Sequence, residues 1–306
     1  MALVLTLLIL TLLVVAGLEF HRLTRVEASL AGNFRDLTQA SYIGRSGVEV
    51  ARALFQEDDP SYDGPDERWA QFEVLSALSG QFFPEGYFMG RIVDESAKFN
   101  PNSLINSLGG VDEKKRKQLE RLLFLLGHGP ETVDALLDWL DGDDQKRPWG
   151  AERDFYLARK RPYPPKNGPL DSLGEMARIK GIEASFLYGT EGREGVRNFL
   201  TVFSEGQINI NTASLPVLMS LSPKIDETLA RAVLEFRQQK SFRRAEELRG
   251  LPGWGEIFPE ISREVTVRSN YFSIEAVGSY REAQATVRAV IRREGRGTRV
   301  IYWKAE

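Results

Sequence analysis

The stretch of this sequence densest in reactive groups is Asp138-Trp139-Leu140-Asp141-Gly142-Asp143-Asp144, followed by Glu152 and Asp154. Five aspartates and one glutamate fall within 17 residues, with a glycine at the turn. Calcium takes six to eight oxygen ligands, mostly carboxylates, carbonyls and water. The spacing does not match an EF-hand loop, because the turn glycine and the bidentate glutamate are out of place. Asp138 and Asp141 lie one turn apart on one helix face. The segment that follows is rich in aromatics and prolines (Trp149, Phe155, Tyr156, Pro162, Tyr163, Pro164, Pro165). It is expected to pack and to return Glu152 and Asp154 to the same place. Carboxylates packed together repel unless a cation or protons neutralise them. A solvated acidic turn after a helix has the same composition, and both readings stand at this level.

Other chemistry is largely excluded. With no cysteine there are no disulfides, thiolate metal sites or Cys nucleophiles. The two histidines, His21 and His128, are too few and too scattered for a His-dependent triad or zinc site. No P-loop, dinucleotide fingerprint or G-x-S-x-G is present. The stretch from Ile208 to Ile261 has the cadence of a helix-hairpin-helix, with Leu251-Pro252-Gly253-Trp254-Gly255 as the hairpin. In DNA-binding versions such a hairpin offers backbone N–H groups to phosphate beside Lys or Arg. Here Arg243, Arg244, Arg249 and Arg263 are matched by Glu246, Glu247, Glu256 and Glu260, so a packing role is expected. A net charge of -3 over 306 residues agrees.

The elements that must position these groups can be read from the patterning. Met1 to Leu18 carries no charge, and 18 residues at 1.5 Å each span about 27 Å, just enough for a bilayer core. A buried core helix or a cleaved signal peptide would read alike. However, no Lys or Arg precedes the run, its exit reads Ala16-Gly17-Leu18-Glu19, and a helical pattern free of proline continues to Phe55. Gly32, Gly44 and Gly47 weaken that pattern locally. Arg22 and Arg25 follow the run, and the positive-inside rule alone would place that end in the cytoplasm. Residues 57–69 form an acidic, turn-rich loop, 70–83 a short helix, and Tyr87 to Asp94 a strand. Helical signals run from about Asn100 to Ser262. Val265–Val277, Ala283–Arg292 and Arg299–Lys304 then read as strands.

The helical block echoes itself. Asn100-Pro101-Asn102-Ser103-Leu104 resembles Asn209-Ile210-Asn211-Thr212-Ala213-Ser214, each a polar cap. VDALLDWL from Val133 resembles LARAVLEF from Leu229, and LDSLGEMARIKGI from Leu170 resembles FRRAEELRGLPGW from Phe242. The order is the same in both copies, so two related helical units are expected, the first carrying the acidic linker. The fold class is therefore α+β: an antiparallel sheet interrupted by a large α-helical insertion. The divisions are 1–56 for the N-terminal helix, 57–99 for the first part of the sheet domain, 100–262 for the insertion and 263–306 for the closing strands.

Several phrases in order carry a family likeness: MALVLTLLIL at the start, Asp94-Glu95-Ser96-Ala97-Lys98-Phe99-Asn100-Pro101-Asn102, Ala135 to Asp141 with Gly150-Ala151-Glu152, Lys166-Asn167-Gly168-Pro169-Leu170, Ile208 to Ala213, and Ser269-Asn270-Tyr271-Phe272. The chain resembles the type II secretion system protein K family of minor pseudopilins. The resemblance implies a pseudopilin fold and a non-enzymatic role at the tip of a pseudopilus, initiating or capping its assembly for protein export. It implies minor pseudopilins I and J and the major pseudopilin as partners, and a single-pass inner-membrane anchor with a periplasmic body. It also implies the processing and methylation of pilin-type N-termini, and calcium in the insertion. Asp141, Asp143, Glu152 and Asp154 then lead as ligands, with Asp138 and Asp144 behind them. The fifth residue of a mature pilin-like helix is usually Glu; Leu5 here agrees with a tip subunit. No basic leader precedes Met1, so the numbering is expected to start at the processed end or to omit the leader. A membrane-tethered DNA receptor using the hairpin is the alternative, and a hydrolase using the acidic pair comes last.

Overall fold

The computed structural model describes residues 1–295 and 297–306. Helix α1 runs unbroken from Ala2 to Leu54. An 18-residue window of it reaches a mean hydropathy of 2.6 with none of it buried, long and apolar enough to cross a membrane. Burial begins only at Ala40 and continues through Ile43, Gly44, Gly47, Val48 and Ala51, one face of a 3.6-residue period. Gly44 and Gly47, weak points in the sequence pattern, are where the helix touches the sheet. A Cβ on Gly47 would come within 2.9 Å of the Phe88 ring. On the opposing surface, a Cβ on Gly278 would lie 2.0 Å from the Ala40 carbonyl oxygen and 2.3 Å from the Gly44 nitrogen. A glycine inside a helix costs about 1 kcal/mol relative to alanine. Here that cost lets two backbones meet.

The strands are β1 (Gly86–Asp94), β2 (Gly189–Thr190), β3 (Arg193–Glu194), β4 (Ile208–Asn209), β5 (Val265–Thr266), β6 (Tyr271–Tyr280), β7 (Ala283–Glu294) and β8 (Gly297–Ala305). The main sheet is antiparallel in the order β1-β6-β7-β8, with a bulge in the β7–β8 pairing between Val290 and Ile291. Alternation buries Phe272, Ile274 and Ala276 of β6 and Val287, Ala289 and Ile291 of β7 beneath α1. Phe55, Trp69 and Phe272 close this core, with ring centroids 4.5 Å (Phe55–Phe272) and 5.0 Å (Trp69–Phe272) apart. The single strand read over Val265–Val277 is in fact two. β5 pairs in parallel with β4, Ile208 opposite Val265, and the chain turns through Ser269 before β6 begins.

Between β1 and β6 the chain makes the insertion. Its helices are α3 (Glu113–Leu125), α4 (Glu131–Leu140), α5 (Arg153–Leu157), α6 (Ala184–Tyr188), α7 (Leu215–Ser220), α8 (Glu227–Gln239) and α9 (Trp254–Ile261); a short α2 (Phe72–Ser76) precedes β1. The insertion has its own core, separate from that under α1. Tyr62 and Val265, placed by sequence in the flanking segments, pack in the insertion's core. The echoed phrases occupy corresponding places. A six-residue 3-10 stretch lies at Leu173–Arg178 and at Ala245–Gly250, and each is followed by a glycine with positive φ, Gly181 at 77° and Gly253 at 81°. The helices α6 and α9 come next in the two copies.

A buried polar knot joins insertion to sheet. Asp94, at the end of β1, accepts from Ser96 N (2.7 Å), Asn209 Nδ2 (2.8 Å), Thr212 Oγ1 (2.5 Å) and Ser269 Oγ (2.7 Å). Burial pushes its carboxyl up, and these donors oppose the shift. Beside it Asp63 accepts from Ser269 N (2.7 Å) and pairs with Arg293 (2.7 Å), which also reaches Asp58. Next door, Glu95 accepts from Ser273 Oγ (2.6 Å), Lys98 Nζ (2.9 Å) and the Thr201 hydroxyl.

Asp94→Ala removes the shared acceptor of Ser96 N, Asn209 Nδ2, Thr212 Oγ1 and Ser269 Oγ and should cost about 3–5 kcal/mol, read as a lower thermal midpoint of the full chain in detergent. Gly278→Ala should also lower that midpoint, by forcing α1 off the sheet. Gly32→Ala meets nothing within 4 Å and should leave the midpoint unchanged or raised.

Candidate metal centre

The acidic linker leaves the end of α4. Two of its acids are fixed by that helix. Asp138 is fully buried in the last turn of α4, and Asp141 caps that helix in extended conformation. The chain then loops outward through Asp143 and Asp144 and returns at Gly150-Ala151-Glu152, the entry to α5. The return is tight. A Cβ on Gly150 would lie 1.8 Å from Asp138 Oδ2, so only glycine lets the backbone pass the carboxylate. Trp139 and Tyr156 (centroids 5.3 Å apart) and Tyr156 and Tyr163 (5.6 Å apart) anchor the returning segment.

Asp141, Asp143 and Glu152 each place a carboxylate oxygen within 4.8 Å of the other two. Asp141 and Glu152 are buried and Asp143 faces solvent. Asp138 sits behind them. Arg147 Nη1 bridges it to Asp141, at 2.7 Å to Asp138 Oδ1 and 2.5 Å to Asp141 Oδ2, and Arg147 N donates to Asp138 Oδ2 at 3.2 Å. Asp144 is exposed, yet close enough for its charge to act on Glu152. Asp154 is exposed in the first turn of α5 and does not join the group.

One guanidinium does not balance this charge. Asp141 Oδ1 and both Glu152 carboxylate oxygens are buried without a hydrogen-bond partner among the described residues. Burial, then repulsion from Asp138, Asp141, Asp144 and Asp143, pushes the Glu152 carboxyl up to about 7. Burial raises Asp141 as well, against the pull of Arg147. Orphaned, converging carboxylate oxygens are a donor set for a hard cation. Patterning by residue type did not single out Arg147 or Asn167. Asn167 donates from Nδ2 to the Asp143 carbonyl at 3.2 Å while its own Oδ1 is buried and unpartnered. Its place in Lys166-Asn167-Gly168 is the available sequence signal, since asparagine is enriched at positive φ, here 47°.

The hairpin Leu251 to Gly255 is not laid out for phosphate. Gly253 abuts Leu229, Trp254 is buried and donates from Nε1 to the Leu229 carbonyl (3.1 Å), and Arg249 stacks on Phe258 with its guanidinium carbon 4.9 Å from the ring centroid. Its glycine and tryptophan are spent on packing α9 against α8.

Comparison with known proteins bears on the whole arrangement. Residues 97–188 and 208–268, together half of the chain, match the two family models described as type II secretion system (T2SS), protein K. Type II secretion system protein K of Klebsiella pneumoniae is 31% identical over 201 residues, 60% of this chain and 58% of that protein. The protein of the same name from Pectobacterium carotovorum subsp. carotovorum is 28% identical over 162 residues, 48% of this chain and 47% of that one. The matched region thus spans about half the length of these curated relatives. A chain of the solved GspK–GspI–GspJ complex from the type 2 secretion system of enterotoxigenic Escherichia coli superposes with a TM-score of 0.72 at 21% identity, over 92% of this chain and 99% of that one. The fold is shared along nearly the whole length, and with half its residues matched by the family's own models, this chain belongs to the type II secretion system protein K family.

Proposed function

We propose that this protein is a minor pseudopilin at the tip of the type II secretion pseudopilus, where it initiates or caps assembly with minor pseudopilins I and J for the export of folded proteins. The observation that carries this reading is the insertion between β1 and β6. It gives a pilin-like helix and sheet a second body with its own core, too bulky to stack within a filament shaft. The apolar half of α1 is the inner-membrane anchor, and the body lies in the periplasm. The role is structural rather than catalytic; among the described residues no histidine joins the grouped carboxylates. Co-expression of the full chain with its I and J counterparts should yield a ternary complex without DNA affinity. Salt-sensitive DNA binding by a chain that ignores both counterparts would overturn the reading.

The acidic linker is a calcium staple. Asp141, Asp143 and Glu152 would hold the ion with their carboxylates; Asp138 sits behind them, and Asn167 is tied to the Asp143 carbonyl. When bound, calcium would supply charge alone, and those three residues would tie the loop after α4 to the start of α5. Binding to the folded form alone stabilises by RT ln(1 + [L]/Kd), about 2.7 kcal/mol at a hundredfold excess over Kd. For a chain of 306 residues that is roughly 4 °C in melting midpoint. Glu152→Gln should melt higher than the parent in chelator and lose the calcium-dependent gain. A full calcium response in that variant would remove Glu152 from the site.

The pH dependence has a definite sign. With its carboxyl raised to about 7 in the fold, Glu152 holds a proton that the unfolded chain releases near its ordinary 4.5. Between those values the native state binds more protons, so stability falls as pH rises. In chelator the midpoint should drop across that window. With calcium present, or in Glu152→Gln, the drop should flatten.

A further inference from the structure

The outer edge of β1 is capped along part of its length. Ser79 Oγ donates to the Phe88 carbonyl (2.7 Å) and accepts from Phe88 N (2.9 Å), and Ser76 Oγ accepts from Gly90 N (3.0 Å). These contacts show that Phe88 and Gly90 turn their backbone groups away from β6. By the two-residue period of a strand, Ile92 does the same. No hydrogen bond among the described residues reaches the outward N–H and C=O of Ile92. They face a cleft of about 700 Å³ between β1 and α8, whose walls include Trp69, Val93, Thr212, Arg237 and Lys240.

Arg237 makes this cleft unusual. Its Nη1 donates to the carbonyls of Ile210 (3.0 Å) and Ala213 (2.7 Å), which fixes the guanidinium plane. It makes no ion pair with any described residue, and burial alone lowers its pKa to about 10. The two acids nearest the cleft are already committed. Asp94 is filled by its four donors, and Asp66 accepts from the Ser241 hydroxyl with Arg243 at 3.7 Å. A half-buried guanidinium without a counter-charge is costly to leave unpaired, and its free N–H groups match a carboxylate.

We propose that this cleft binds an extended peptide segment of a partner protein, which pairs its backbone with Ile92 as an added strand and places a carboxylate on Arg237. Strand addition gives affinity from main-chain bonds, and the side-chain contact sets specificity. Lys240, exposed at the end of α8, adds positive charge at the rim.

The probe is a set of acetylated, amidated Val/Thr pentapeptides with one Glu moved through the five positions, each beside its Gln counterpart. Binding is read by fluorescence polarisation on the full chain in detergent. At least one Glu register should bind at least tenfold more tightly than its Gln partner. Arg237→Gln should erase that preference, and N-methylating the backbone amide that pairs with Ile92 should abolish binding. Equal binding of Glu and Gln peptides, binding by none, or a preference that survives in folded Arg237→Gln would each overturn the proposal. Should Arg237→Gln fail to fold, Lys240→Glu decides. It repels the carboxylate from an exposed position and should weaken the Glu peptide severalfold; unchanged affinity overturns the proposal.

Discussion

The rest of this architecture depends on one buried carboxylate, Asp94. Burying an ionised group without partners is prohibitive, and this one is satisfied only by donors from three parts of the chain. Ser96 comes from the turn just after β1, Asn209 and Thr212 from the second helical unit, and Ser269 from the turn into β6. No one of those segments can satisfy it alone. The charge therefore specifies how the insertion sits on the sheet, in a way that apolar packing does not, because hydrophobic contact is non-directional. Asp63 and Arg293 repeat the device a few ångströms away, tying the acidic loop before β1 to the last residues of β7. The family phrases beginning at Asp94, Ile208 and Ser269 are distant in sequence, yet they meet at this single point.

The acidic linker works on the same principle with the balance left open. At Asp94 the donors are all protein. Around Glu152 they are too few: one arginine serves Asp138 and Asp141, and three carboxylate oxygens have no hydrogen-bond partner among the described residues. The two sites show how burial decides the role of a carboxylate. Where neutral hydroxyl and amide donors converge it becomes a joint. Where other carboxylates converge it is left to be neutralised by a proton or a cation.

Much of this was legible in the sequence. The long helix, β1, the closing strands and the acidic linker all follow from hydropathy, alternation and charge density. Charge density singles out six acids there, and the family likeness puts Asp141, Asp143, Glu152 and Asp154 ahead; the first three converge, and Asp154 stays apart, since a short helix turns it outward. What could not be read was the partner side of each contact. Gly44 and Gly47 look like weak points of a helix, and Gly278 like the turn after Val277, until the other backbone is present to explain them; Gly278 lies inside β6. Val265 reads as the start of a long strand because local pattern cannot tell pairing with β4 from pairing with β7. Arg147 and Arg237 are two of 40 basic residues, and only burial and the presence or absence of a counter-ion set them apart.

Helix α1 also has a mechanical meaning. Fifty-three residues without a proline, clamped at one end by glycine contacts to the sheet, form a rod of about 80 Å. A rod has no slack. Any axial push on the body appears undiminished as travel of the apolar end, about 1.5 Å for each residue drawn out of its surroundings. Each residue that emerges must at once find another apolar neighbour or face water. The cost of travel is thus set residue by residue along the exposed apolar run from Leu3 to Leu18.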